Sequence, residues 1–142
     1  DKDIWFETKI TPTDAEGDAM DICIGLTVNF ATNPEAMLTA ADRIVFQVDD
    51  GDSNIDCVTE KDGTATTTDS GVDIASGTAV TLGFHVKSTG SVEFFVNRNK
   101  VATHTANIPD DENLALGAME LSGSATGTKS MNIDYMFAAQ DR

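Results

Sequence analysis

Basic residues are scarce in this 142-residue chain: nine Lys and Arg stand against 24 Asp and Glu, a formal net charge of −15. Phosphate recognition needs clustered Lys and Arg, so nucleic acid is not an expected partner, and neither is an anionic membrane surface. No apolar run approaches the roughly 20 residues of a membrane span. The start carries no basic-then-apolar signal peptide. The first residue is Asp1 rather than Met, as expected of a processed chain or an excerpt. Cysteine is also scarce. Cys23 and Cys57 are too few for a disulfide framework and lie in no CxxC or Cys/His cluster, which argues against a zinc site. Each lies in a strand-like run and reads as a small, half-buried thiol. A bridge between them stays open, since spacing along the chain does not give their separation.

What is present is alternation with a period of two. Ile4, Phe6, Thr8 and Ile10 alternate with Trp5, Glu7 and Lys9. Similar runs span 20–28, 44–48, 55–59, 80–86, 92–96 and 131–137. That pattern marks antiparallel strands with one face on a core. Asp50-Gly51, Asp62-Gly63, Ser70-Gly71, Ser76-Gly77 and Thr89-Gly90 are turn dipeptides between apolar runs. Asn97-Arg98-Asn99-Lys100 reads as a tight hairpin between 92–96 and 101–105. Residues 1–142 therefore predict one all-β domain of about ten antiparallel strands, a sandwich or a barrel. One stretch differs. Asn33, then Pro34 and Glu35, is a helix-start signal that predicts a short helix or structured loop over 34–41. The Thr-, Ser- and Gly-rich stretches at 61–78 and 122–129 read as loops and an edge strand.

Catalytic signals are thin, and the chain does not read as an enzyme. The nearest approach to a GxSxG nucleophile elbow, at Gly123–Gly127, has Ala125 where the serine belongs. His85 and His104 read as strand-surface histidines without a nucleophile or acid partner placed by the sequence. Glu93 and Glu120 are strand acids whose expected role is solvation, and no closely spaced glycosidase pair occurs. No cofactor is expected. The best metal candidate is the acidic turn with Asp50, Asp52, Asn54 and Asp56, which offers oxygens at alternate positions suited to calcium. It carries Ile55 and Lys61 where an EF-hand needs Gly and Glu, and so reads as a turn with flanking acids. The turn at Asp110-Asp111-Glu112-Asn113 reads the same way. Trp5 and Phe95 lie out of phase with the core. They fit a loop-covered position, a subunit interface or a sugar-stacking platform.

The segments DIWFETKI, ICIGLTV, RIVFQVDDGDSNIDCVTEKDG, VTLGFHV, VEFFVNRNKVATHT, IPDDENLALGAME and MNIDYMFAAQDR, in this order, resemble a family of tailed-phage virion proteins with a concanavalin A-like, laminin G-like jelly roll. The resemblance runs from Ile4 to Arg142 and is most specific at the Phe94–Thr103 hairpin and the Ile133–Arg142 end. Two departures stand out. Asn97-Arg98-Asn99-Lys100 replaces the usual Asp-Gly, which predicts a longer turn, and Ala115 stands where a Pro is usual. The resemblance implies no catalytic residues. It implies a head decoration or cement protein on the outer surface of a phage capsid. Its partners would be the major capsid protein and further copies of itself, as a dimer or trimer. The strongly acidic charge suits an outward position. The same sandwich serves widely in sugar binding, so a lectin-like module on the virion, an adhesin or a tail-associated protein, is the alternative.

Overall fold

The computed structural model describes residues 2–13, 20–28, 34–122 and 129–141. Ten strands form two antiparallel sheets. They are β1 (Ile4–Thr13), β2 (Met20–Thr27), β3 (Arg43–Val48), β4 (Asn54–Lys61), β5 (Thr64–Asp73), β6 (Val80–Lys87), β7 (Ser91–Val96), β8 (Asn99–His104), β9 (Ala115–Ser122) and β10 (Ser130–Gln140). The first sheet has the order β10-β1-β6-β7-β8 and the second β5-β4-β3-β2-β9. Of the sandwich and the barrel that the alternation allows, the two-sheet sandwich implied by the resemblance is the fold observed.

The period-two pattern explains the packing. Phe6, Ile10, Leu82, Phe84, Val92 and Phe94 face inward from the first sheet, and Ile22, Ile24, Ile44, Phe46, Ile55 and Cys57 from the second. Phe46 meets Phe94 edge-on at 5.4 Å, and Phe84 lies 5.9 Å from Phe94. The second sheet carries a further small cluster on its other face, where Cys23, Val45, Val58 and Met119 pack with Met37. The short helix or structured loop expected over 34–41 is a single 3-10 turn at Pro34–Met37 followed by a turn. Its Met37 carbonyl accepts a bond from the guanidinium of Arg43, which is buried and also holds Glu60 and Gln47. The Asn33 cap, the 123–127 elbow and most of the stretch at 122–129 lie outside the described residues.

The β7–β8 hairpin corrects the expectation of a longer turn. Val96 pairs directly with Asn99, which leaves a two-residue loop. Asn97 and Arg98 have φ of 50° and 66°, as a type I′ turn requires of both central residues. Asn tolerates that region readily, whereas Arg is strained there by about 1 kcal/mol.

The cysteines are both buried and free, and a bridge between them is ruled out by facing. Cys57 points into the sandwich opposite Phe46, while Cys23 points out of the same sheet toward Met37. Burial pushes both thiols up to about 12.

Candidate functional site

The outer face of the first sheet is built from the residues that alternate with the core: Trp5, Glu7 and Lys9 on β1, Thr81, Gly83 and His85 on β6, and Glu93 and Phe95 on β7. The register sets Gly83 between Glu7 and Phe95. Without a side chain at Gly83 the face sinks into a hollow of about 240 Å³, walled by Trp5, His85, Phe95, Phe137 and Arg98. A Cβ at position 83 would come within 3.1 Å of the Phe6 carbonyl and fill the floor. A larger depression of about 490 Å³ opens at one end of the sandwich, beside Ile4, Val86, Lys87, Asp110 and Leu114, but no aromatic ring of the described residues lines it.

Trp5 lies flat on His85, with centroids 4.7 Å apart and planes 12° apart. His85 is anchored behind by Asp3, whose carboxylate lies 2.7 Å from Nε2. Asp3 is held below the usual carboxylate range, first by the Ser88 amide and then by His85. Each ring of the stack is thus fixed by a neighbour before any ligand arrives. On the other rim Tyr135 donates to Glu7 at 2.7 Å, and this bond raises the phenol's pKa. Lys9 pairs with Asp134, and Glu93 sits between Lys87 and Lys100, which lower its pKa in that order.

The structure brings Trp5 and Phe95 to one hollow; phase placed both on the face away from the core, and strand register brings them together. It adds residues that sequence reasoning missed: Glu7, Arg98 and Phe137, with Gly83 as floor. Trp5 is 38% exposed and Phe137 47%, so no loop of the described residues covers them. Tyr135, opposite Lys9, continues this exposed surface along β10, and Ile133 is also exposed, beyond the register shift and opposite the inward-facing Ile10. The period-two run at 131–137 was visible, but which of its faces met the core was not. The strand also carries a register shift where Lys9 pairs with Tyr135 and Ile10 with Ile133, so that Asp134 is the extra residue.

The calcium candidates are differently placed. Asp52 caps the turn by accepting from the Asn54 amide, and the Asp50 amide donates to Asp21. Asp56 lies on the sheet itself, with its pKa raised by burial and then by Asp69, Asp49 and Asp52. Among the described residues no three acids, histidines or cysteines are grouped to hold a metal ion. Nor do the strand acids form a pair: Glu93 lies outside the first sheet, and Glu120 lies beside the inward-facing Ile22 in the second. One Glu120 oxygen is buried with no partner among the described residues.

His104 departs from the surface position expected of it. It is 3% exposed, 5.0 Å from Phe94, with Nδ1 2.9 Å from Thr59 and Nε2 3.0 Å from Thr68. Thr59 spends its only hydroxyl proton on the Ala106 carbonyl. It must therefore accept from Nδ1–H, which leaves Nε2 as the acceptor for Thr68. Desolvation lowers this imidazole's pKa. Both ring nitrogens are occupied in joining β8 to the opposite sheet, and neither faces the hollow.

No protein-family model and no curated protein matches the chain. Solved structures do. The carbohydrate-binding module CBM66 from Bacillus subtilis superposes with a TM-score of 0.63 at 10% identity, over 97% of this chain and 75% of that one. Sheep galectin-11, in complex with glycerol, gives 0.58 at 13% identity, over 96% and 90%. The marine PL7 alginate lyase AlyA1 from Zobellia galactanivorans gives 0.55 at 16% identity, over 99% and 63%. At these identities the likeness establishes a shared jelly-roll, concanavalin A-like sandwich, found in binding modules and in enzymes alike.

Proposed function

We propose that this chain is a non-catalytic carbohydrate-binding module whose glycan-contacting surface is the hollow over Gly83. The observation that carries this reading is the pre-stacked, half-exposed Trp5 beside Phe95 and Phe137, with Glu7, Thr81 and Arg98 at hand. A sugar ring presents an apolar C–H face and a rim of hydroxyls. Flat aromatic walls match the first, and fixed polar groups match the second. The sandwiches of CBM66 and galectin-11 lend support at the level of fold only. Trp5 is the chain's one tryptophan, so its fluorescence reports the hollow alone. Titration across a glycan array and in solution is expected to shift that emission saturably, and Trp5→Ala to abolish binding while the fold is kept. A blank array, with binding of no glycan in solution, would refute the reading.

A second reading, a capsid decoration protein on the outside of a phage head, rests on the sequence resemblance and on one observation. Ile133, Tyr135 and Phe137 are 41%, 39% and 47% exposed along the edge strand β10. Exposed apolar residues on an open strand edge suit a protein contact. None of the structures named above is described as a phage head protein. Light scattering followed by binding to emptied heads tests it: saturation at a fixed ratio to the shell protein supports decoration, and indifference to heads removes it.

A further inference from the structure

We infer that the hollow takes an acidic sugar, a hexuronate residue within a glycan, and that Arg98 is the residue that selects it. The inference rests on the carbohydrate-binding reading and narrows its substrate class. Three independent observations carry it.

The first is the state of Arg98. Lys9, Arg43, Lys61, Lys87 and Lys100 each hold a carboxylate. Arg98 lines the hollow and has no carboxylate within ion-pair distance among the described residues. Glu7, the acid that shares the hollow, is engaged by the Tyr135 hydroxyl instead. A guanidinium that holds no carboxylate, with the Tyr135 hydroxyl as its electrostatic neighbour, offers beside aromatic walls a planar fork of donors that matches a sugar carboxylate in two bonds.

The second is the backbone. Arg98 occupies the position of a two-residue turn where glycine is the strain-free choice, with φ at 66°. Arginine there costs stability, and its side chain makes no hydrogen bond or ion pair within the described residues that would offset the strain. Strain held at a surface turn, on a residue that reaches a recessed site, points to a role outside the fold.

The third is the distribution of charge. The chain carries −15 overall, which repels acidic polymers in general. The outer face of the first sheet is the exception. It holds Lys9, Lys87, Arg98 and Lys100 against Glu7, Glu93 and Asp134, with Asp3 at its rim beneath His85. An acidic glycan can therefore approach this face and is turned away from the rest of the surface.

The test uses two probes, a tetrasaccharide of 1,4-linked hexuronate and the same tetrasaccharide after reduction of its carboxyls to the neutral hexose. Each is titrated against the intact chain by Trp5 fluorescence at low and at high salt. The acidic form is expected to bind at least tenfold more tightly at low salt, and the preference to shrink as salt rises. Arg98→Gly suits the turn and folds, and it is expected to bring the acidic-to-neutral ratio close to one. Arg98→Lys keeps the charge but loses the fork, and should restore only part of the preference. Equal binding of the two probes by the wild-type chain, or an acidic preference that survives Arg98→Gly, would overturn the inference and leave the carbohydrate-binding reading standing. Binding of neither probe, together with a blank glycan array, would overturn both. A Trp5 signal that depends only on protein concentration would give the face to a second copy of the chain.

Discussion

Substitution of His104 by glutamine should destabilise the protein by an amount that depends on pH, and the direction follows from its burial. The folded imidazole is neutral, donates from Nδ1 to Thr59 and accepts at Nε2 from Thr68. Its pKa in the fold lies below the ordinary value of 6.5 because desolvation disfavours the cation. The unfolded chain therefore binds a proton that the folded chain resists. The stability contributed by this residue is fully present above the unfolded pKa, near 6.5, and is lost as pH falls from there toward the folded pKa. The loss is about 1.4 kcal/mol per pH unit within that window, which caps it at about 2 kcal/mol between pH 6.5 and pH 5. At pH 8, His104→Gln removes one buried and one half-buried hydrogen bond and leaves the Thr68 hydroxyl without its acceptor, while Thr59 keeps its bond to the Ala106 carbonyl, at a cost of about 1–3 kcal/mol. Urea unfolding of both proteins at pH 8, 6.5 and 5 should show a gap that is widest at pH 8 and narrows below 6.5. The titration of the 24 acids is common to both proteins and cancels in the difference. A gap that stays constant, or widens on acidification, would refute the buried neutral imidazole.

Other outcomes follow from single residues. Gly25→Ala should cost about 3 kcal/mol or more in thermal unfolding, because φ at 150° favours glycine and a Cβ there would lie 2.9 Å from the Val45 Cα and closer still to the Ile44 carbonyl. The two thiols should resist Ellman's reagent at pH 8 in the folded chain and both react on unfolding, since burial holds them at about 12; rapid modification of the folded chain would contradict that burial. Asp52→Ala should remove a turn cap and lower the melting temperature slightly, by the same amount in calcium and in chelator. A loss seen only in calcium would restore the acidic turn as a metal site.

Much of the fold was legible because a half-buried strand writes its facing directly into the chain. Phe84 and Val86 could only face one way once Leu82 did, and the hairpin at Asn97 was marked by its turn residues. The short segment at 34–41 was legible from its start signal, but a capping signal is local and does not give the length, which here is one 3-10 turn at Pro34–Met37. His104 was misplaced for a related reason. Its burial depends on Thr59 and Thr68 in the opposite sheet, and no local pattern records a partner across a sandwich. Of the hollow, Trp5 and Phe95 could be assigned to the outer face by phase. Gly83 as its floor, and Phe137 brought over from β10, depend on register between strands distant in sequence. Phe137 also sits after the extra residue at Asp134, which breaks simple counting along that strand.

The pairing of β1 with β10 has a consequence for how the protein is made. Residues 4–13 find their final neighbour only at residues 130–140, so the first sheet cannot close until nearly the whole of this segment has left the ribosome. At about 5–20 residues per second, the early strand waits on the order of 6–25 s for its last partner. Before that, β1 can pair with β6 but presents its other edge unpaired. Truncation within 130–140 should therefore do more than shorten the chain. It would leave an inner strand permanently at the rim, a ready template for aggregation during expression. The same adjacency invites a circular permutation, with a linker from Gln140 to Ile4 and new ends in an exposed turn such as Ser76-Gly77. That rearrangement would make β1 and β10 neighbours in synthesis as well as in space.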